Sequence, residues 1–319
     1  MTEQLELTSQ QTAKREIALA FCALLVVLFL VAFIPILVKV SEYEISPNAT
    51  VFNPRWIGAV FLTCWNVPSI LKQGRSGNYL TGKRFPNIHN ILLLLVILGI
   101  FSTVHTLLYV WSLTQTSIAN SEVLHSLNPI FTTLVAWVFL GQKFDSIFLT
   151  GIGISIVGSL SIVANDFSIT IDKLQGDGLA LVSTMLFAGC LLIVEKLQTQ
   201  LSPTAITTCN YLLGTFFLLP ILLVAGDDLF PHSWGVWLIV TAIGTVGIFQ
   251  QILVTYSLKW LSSALVATIL LLHPAITAIL AWVIFSETLT WLNLLGFMVI
   301  LLGAYLTTSS KGGVKMTAS

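Results

Sequence analysis

Asn128-Pro129-Ile130-Phe131-Thr132 sets a polar residue and a proline in the middle of an apolar run, and 145 positions later His273-Pro274-Ala275-Ile276-Thr277 does the same. Sliding Ser112–Leu160 onto Ser257–Tyr305 without a gap pairs Ser112/Ser257, Leu127/Leu272, Pro129/Pro274, Thr132/Thr277, Trp137/Trp282, Gly151/Gly296 and Gly158/Gly303, among others. About a quarter of the positions are identical, against roughly a tenth for unrelated apolar segments, which marks an internal duplication. The two halves are expected to be two copies of one fold.

Working outward, the solvent of this fold is lipid. Of 319 residues 56% are hydrophobic and 9% charged, where an ordinary soluble domain carries about 25% charged residues. A balanced net charge removes the case for a nucleic-acid partner. Cys22, Cys64, Cys190 and Cys209 all fall in apolar runs without metal-like or redox-like spacing and read as small packing residues. No cofactor and no metal site is expected. The first apolar run, after Lys14 and Arg15, is too long for a secretory signal and is read as a retained membrane helix.

Crossing the hydrocarbon takes about 20 apolar residues. Ten stretches qualify: Ile17–Val38, Val51–Leu71, Ile91–Leu113, Ile118–Leu140, Ser146–Ala164, Gly178–Leu197, Ala205–Ala225, Trp234–Leu258, Ser263–Phe285 and Thr290–Thr308. Asn53, Pro54 and Arg55 make the second the weakest. The expected fold is therefore an all-α integral membrane protein of ten transmembrane helices. Its parts are a tail over 1–16, a first five-helix repeat over 17–164, a connector over 165–177, a second repeat over 178–308 and a tail over 309–319.

With the N-terminus inside, the inner segments hold eleven of the fourteen Lys and Arg residues, and Lys39, Arg55 and Lys173 fall on the outer side. Both termini are expected in the cytoplasm, in a bacterial plasma membrane. Five spans per repeat is an odd number, so the second copy enters the bilayer inverted. Lys143 on an inner loop matches Thr288 on an outer one, and inner Lys259 matches outer Thr114, as an inverted pair requires. The early parts of the repeats correspond at a different offset: Ser46-Pro47-Asn48-Ala49 matches Ser202-Pro203-Thr204-Ala205, 156 positions on. The first half has a longer basic loop, Lys72–Asn90, which accounts for the change.

This pattern resembles the EamA type of the drug/metabolite transporter superfamily, with two tandem five-helix repeats. The resemblance rests on the Ser-Pro entry to each second helix, Arg55 eight residues after Pro47, the mid-helix Pro129 and Pro274, and the Ala-Trp pairs Ala136-Trp137 and Ala281-Trp282. The turn before each last helix, where the family favours Glu, holds Glu287 in one repeat and Gln142 in the other. The resemblance covers nearly the whole chain. It implies a carrier that alternates its access and exports or imports a small metabolite, without naming the solute.

Polar groups deep in hydrocarbon are costly unless they face protein or a wet cavity, so they are the functional candidates. Asn128 and His273 lie near the centres of the fourth and ninth spans at equivalent positions, and His105 and Gln250 do so in the third and eighth. Inverted-repeat carriers hold solute near the midplane between repeats, so these four are expected to ring the site. Trp65 and Asn66, deep in the second span, are further pathway candidates. Pro129 and Pro274 break the amide ladder; their plainer role is helix curvature. Glu122 and His125, one turn apart, could take up and release protons, although an acid in a first helical turn is also favoured by the helix dipole alone.

No Lys or Arg is expected deep in a span except Arg55, the exception placed to reach inward from the start of the second span. A phosphorylated-sugar or nucleotide-sugar translocator, otherwise alike in size and plan, would need compensating cations. The composition favours a neutral, zwitterionic or weakly cationic solute instead. A membrane-embedded enzyme would need a convergent reactive set, and the five histidines show no ligand spacing. The partners expected are the solute and the bilayer; both a monomer and a homodimer are open.

Overall fold

The computed structural model describes residues 2–75, 88–116, 118–163, 173–273, 276 and 291–310. Twelve helices account for nearly all of them: α1 (Thr2–Val31), α2 (Ile34–Ser41), α3 (Pro47–Arg75), α4 (Ile88–Gln115), α5 (Ile118–His125), α6 (Asn128–Leu140), α7 (Ser146–Val163), α8 (Leu174–Leu197), α9 (Pro203–Ala225), α10 (Trp234–Ser257), α11 (Ser263–Leu270) and α12 (Trp291–Ser309). Among the described residues six spans are long and apolar enough to cross a bilayer: Thr12–Ser41, Ile88–Gln115, Asn120–Leu140, Leu174–Leu197, Pro203–Ala225 and Trp234–Ser257. Helices satisfy their own backbone groups, so this is an all-α, multi-pass membrane protein. The expected ninth span lies partly outside the described residues, and Pro274 and Glu287 lie wholly outside them.

Both Ser-Pro pairs act as helix starts. Ser46 Oγ accepts the Ala49 amide at 3.1 Å and Ser202 Oγ the Ala205 amide at 3.2 Å, while Pro47 and Pro203 fill the first helical position, where a missing N–H costs nothing. The polar-Pro motifs mark breaks. α5 ends at His125 and α6 starts at Asn128, with Ser126 and Leu127 in a turn; α11 ends at Leu270, with the equivalent Leu271 and Leu272 in a turn before His273. Three-residue hydrogen bonds tighten both places, Leu127 N to Leu124 O at 3.2 Å and Leu272 N to Ile269 O at 3.0 Å. Pro129 has no amide to give His125, which explains the first break. A third break, at Ala32 and Phe33 between α1 and α2, precedes Pro35 in the same way.

Glycine packing relates the halves by a pseudo-twofold axis. A Cβ on Gly151 of α7 would strike Gly303 of α12, and one on Gly158 would strike Gly296. Since Gly151 matches Gly296 and Gly158 matches Gly303, each glycine of α7 meets the counterpart of the other glycine on α7. Position rises in one helix as it falls in the other, so these last helices of the two repeats run antiparallel. The second helices repeat the exchange: a Cβ on Gly214 would strike Arg55 and one on Gly58 would strike Tyr211, with Arg55/Tyr211 and Gly58/Gly214 both 156 apart. Two inverted repeats therefore interlock, as the duplication required.

One end of the bundle gathers the α6–α7 turn, the end of α8 and the α10–α11 turn. Glu195, buried on α8, accepts from Gln142 Nε2 at 3.1 Å and from the Ser263 amide at 3.0 Å. Lys143, Lys196 and Lys259 lie beside these residues in sequence. Tyr256 donates to Glu16 of α1 at 2.7 Å at this same end, and Thr307 of α12 packs on Gly151 near the start of α7. Thus α1 enters and α12 leaves on the side holding Lys143 and Lys259. The opposite end joins Asn48 to Asp227 at 2.7 Å, Trp111 to Asn48 at 3.0 Å and Thr116 to Asp177 at 2.7 Å.

Candidate solute cavity

A cavity of about 330 Å³ lies between the repeats, within the range of small-molecule sites. Its wall draws on α1 to α6 of the first repeat and on α8 to α11 with His273 of the second. His105, Asn128, Gln250 and His273 all line it, as do Glu122 and His125. Trp65 does not: it is 67% exposed on the outer surface of α3. Asn66 is turned to the α3–α9 contact, where its amide donates to Thr208 Oγ1 at 2.9 Å. Pro129 is buried beneath the wall, at the start of α6.

Each polar group is held by a neighbouring helix. His105 Nδ1 lies 3.0 Å from the Ser183 carbonyl and 2.8 Å from its hydroxyl. A carbonyl only accepts, so Nδ1 carries the proton and Nε2 keeps the lone pair. Its ring stacks on Phe187 at 4.9 Å, fixing α4 on α8. Asn128 is bound by Thr132, whose hydroxyl is 3.1 Å from Oδ1.

Glu122 forms a contact that joins the repeats. Its Oε2 lies 3.2 Å from His273 Nδ1 of the second repeat and its Oε1 accepts the Tyr109 hydroxyl at 3.3 Å. Both side chains are nearly enclosed, at 11% for His273 and 14% for Glu122. His273 also faces the backbone of Val31, whose carbonyl Pro35 cannot serve. The helical spacing paired Glu122 with His125, but the Glu122 hydrogen bonds go to His273 and Tyr109. His125 packs edge-on to Tyr109 at 4.9 Å, and its buried Nε2 has no hydrogen-bond partner among the described residues.

Arg55, the exception among the Lys and Arg residues, lies on the cavity wall. Starting α3 at Pro47 puts it two turns, about 12 Å, along the helix, 9% exposed and on the cavity wall. Its Nη2 donates to the Ser102 carbonyl and to Thr106 Oγ1, both at 2.7 Å, and Nη1 approaches Ser102 Oγ at 3.4 Å. Among the described residues none of these partners is a carboxylate. The network continues across the seam: Ser102 donates to Asn210 at 2.6 Å, and Asn210 to Gln251 at 3.1 Å. Gly214 leaves the room the guanidinium fills. At the equivalent place in the other repeat Tyr211 stands over Gly247, so among the described residues the wall holds one Arg or Lys and not two. The sequence signal for Arg55 was there, eight residues after the Ser-Pro start, but the polar start of α3 masked its depth. Ser102, Asn210, Gln251 and Thr255, ordinary polar residues in apolar helices, were not separable from packing groups.

The sequence model of the EamA-like transporter family matches residues 18–164 and again 174–309. The chain belongs to the EamA-like transporter family. The pseudopaline exporter CntI of Pseudomonas aeruginosa is 22% identical over 220 residues, 69% of this chain and 76% of its own. An uncharacterized transporter of Archaeoglobus fulgidus is 26% identical, over 65% of this chain and 73% of its own. The mouse solute carrier family 35 member G1 is 24% identical, over 65% of this chain and 59% of its own. One crystal structure, 15% identical, superposes with a TM-score of 0.70 over 92% of this chain and 97% of its own, and so shares the fold. This EamA chain is accordingly a transporter and not an enzyme, with a small solute and the bilayer as its partners.

Proposed function

We propose that this EamA transporter carries a small metabolite, neutral, zwitterionic or weakly cationic, along the seam between its inverted repeats, and that it works outward. The observation that carries the reading is the central cavity, walled by both repeats and polar at a depth where polar groups are otherwise expensive. Breaks beside the cavity, at 126–127, 271–272 and 32–33, give the wall three hinge points. Rocking one repeat on the other would open the cavity to each side in turn. Both termini are assigned to the cytoplasm, because the end of the bundle they share also holds Lys143, Lys196 and Lys259. Export accords with the name of the pseudopaline exporter among its relatives.

A phosphorylated-sugar or nucleotide-sugar solute fits less well. Arg55 is the one Lys or Arg on the wall among the described residues, and Glu122 shares that wall. A doubly charged phosphate would meet one cation and one anion.

The test is an unbiased comparison of metabolites inside and outside cells making the protein, followed by flux of the enriched compounds in liposomes. Saturable flux that Asn128→Leu abolishes at normal membrane abundance is expected. A normally inserted protein that moves none of those compounds overturns the reading.

A further inference from the structure

Within the carrier reading, on which this step rests, we infer that Glu42 is the outer port through which protons reach Glu122, with the Tyr109 hydroxyl as the link between the two carboxyls. The Glu122 side chain is only 14% exposed, so a proton from outside needs a conductor. Tyr109 is its inner member, because its hydroxyl donates to Glu122 Oε1 at 3.3 Å. Helix geometry places Glu42 on the outer side of Tyr109. α2 ends at Ser41, but Glu42 keeps helical angles, φ −66° and ψ −12°, and its amide reaches the Val38 carbonyl at 3.1 Å. It stands one turn outward of Val38 on the same face, and Val38 lines the cavity. Lys39, three residues before it, donates to the Leu113 carbonyl of α4 at 2.9 Å, and Tyr109 lies one turn inward of Leu113. The face of α2 that carries Glu42 is thus pinned to the face of α4 that carries Tyr109. Glu42 is accordingly among the groups whose charge reaches the Tyr109 hydroxyl.

The repeat symmetry shows what is unusual about this carboxyl. Gln198, its counterpart at the inner end, spends its amide on the Glu195 and Leu258 carbonyls, both at 3.1 Å. By the same symmetry Glu42 would meet the carbonyl of Leu113, the counterpart of Leu258, but Lys39 already holds it. Glu42 Oε1 is left buried without a hydrogen-bond partner among the described residues. Such an oxygen costs stability in a group that only braces the fold, whereas a group that takes up and passes on a proton needs an oxygen free to do it. Burial also raises the Glu42 carboxyl to about 7, so it gains its proton as the exterior turns acidic. Of the groups around it, Lys39 lies on its own helix and Tyr109 on α4, while Glu44 is turned to His232 and Ser233. The first turns of α3 and α10 bring no titratable side chain. The transfer balances simply. Glu42 takes a proton from the outer solution and passes it to the Tyr109 oxygen, directly or over one water, as the hydroxyl's own proton moves to Glu122 Oε1. Glu42 ends charged, Tyr109 unchanged and Glu122 neutral.

The experiment uses the full chain in nanodiscs without solute: a jump from about pH 8 to about pH 5, followed by time-resolved infrared absorption of protonated carboxyls. Two protonation steps are expected, one removed by Glu42→Gln and the other by Glu122→Gln. Glu42→Gln should fold, since Gln198 serves at the equivalent position. In it the Glu122 step should slow by about tenfold or more and still reach the same amplitude. Glu42→Asp should recover most of the rate. Tyr109→Phe should slow the Glu122 step as much and leave the Glu42 step as it was. A Glu42 that only braces the fold would leave the rate at Glu122 alone. Protonation of Glu122 as fast in Glu42→Gln or in Tyr109→Phe as in the unaltered protein overturns the port, and so does the absence of any step that Glu122→Gln removes. None of these outcomes touches the carrier reading, which falls on the flux measurement instead.

Discussion

A Cβ placed on Gly151 would stand 2.8 Å from the Gly303 carbonyl oxygen, so the last helices of the two repeats touch backbone to backbone. In lipid there is little hydrophobic drive between helices, and small residues that allow this approach supply the association. Gly158 is equally tight, with its added Cβ 2.7 Å from the Ile300 amide nitrogen, whereas Gly153 on the same helix has nothing within 4 Å. Gly158→Ala should therefore destabilise by about 1–3 kcal/mol. Gly153→Ala should be neutral or stabilise by up to about 1 kcal/mol through helix propensity. Thermal unfolding in detergent, both variants side by side, checks the contrast.

Gln142 stands where the family favours Glu, and its contact explains the exchange. Its amide donates to Glu195 Oε1, and the other oxygen of that carboxylate is taken by the Ser263 amide. A second acid here would face Glu195 at close range while both are shielded from water. Gln142→Glu is expected to lower the melting temperature by several degrees, and Glu195→Gln added to it should restore most of the loss, since the amide–acid pairing is then reversed. The double-mutant cycle reads the coupling directly.

Two acids beyond the far end of α2 are shifted in opposite directions. Burial pushes Glu42 up from 4.5 to about 7, against the pull of Lys39; the Ser233 hydroxyl, then the Ser233 and His232 amides, hold Glu44 below its ordinary value. Glu42 caps α2 as Gln198, 156 positions on, caps α8. Gln198 donates to the Leu258 carbonyl at 3.1 Å, while the Glu42 Oε1 is buried without a hydrogen-bond partner among the described residues. The folded protein holds the Glu42 proton more tightly than the unfolded chain, so this group's contribution to stability falls as pH rises from 4.5 to about 7 and is level above that. Glu44 acts the other way, stabilising above its ordinary range and losing that as pH falls. Glu42→Gln should remove the first slope and raise the melting temperature at pH 8 by roughly 2 °C, as measured by unfolding across pH 5–8.

How much was legible beforehand depended on whether a feature repeats. The duplication, the inversion and the four central polar residues were readable because each position is seen twice, once at each offset. Arg55 has no twin, since Tyr211 replaces it, and a residue seen once among Asn53, Pro54 and Trp56 looks like a helix start. The Glu122–His273 contact joins unlike positions, with Ala267 and Asn128 at the counterparts, so neither helical spacing nor internal symmetry could find it. Trp65 looked deep by count along α3, but period alone does not say which side of a helix is turned to lipid.

We propose Glu122 as the group through which a proton gradient acts. The titratable and charged groups around it are His273 at 3.2 Å, Tyr109 at 3.3 Å and His125 on its own helix. Beyond them lie His105, 6.0 Å from His125 between ring centres, then Arg55 beside His105 and Glu42 towards Tyr109. A proton and a cationic group of the solute would compete for Glu122, the one carboxylate on the wall among the described residues. Entry of a proton from an acidic exterior would then release solute outward, and loading of solute inside would release the proton. Liposomes holding the protein should export faster when the outward-facing side is made acidic. Glu122→Gln, which keeps the shape but can neither lose a proton nor hold a charge, should transport slowly and without response to the gradient. His273→Gln removes the competing imidazole, leaves the carboxylate, and should keep the response. A gradient response unchanged in Glu122→Gln takes Glu122 out of the coupling and returns its contact with His273 to a tie between the repeats.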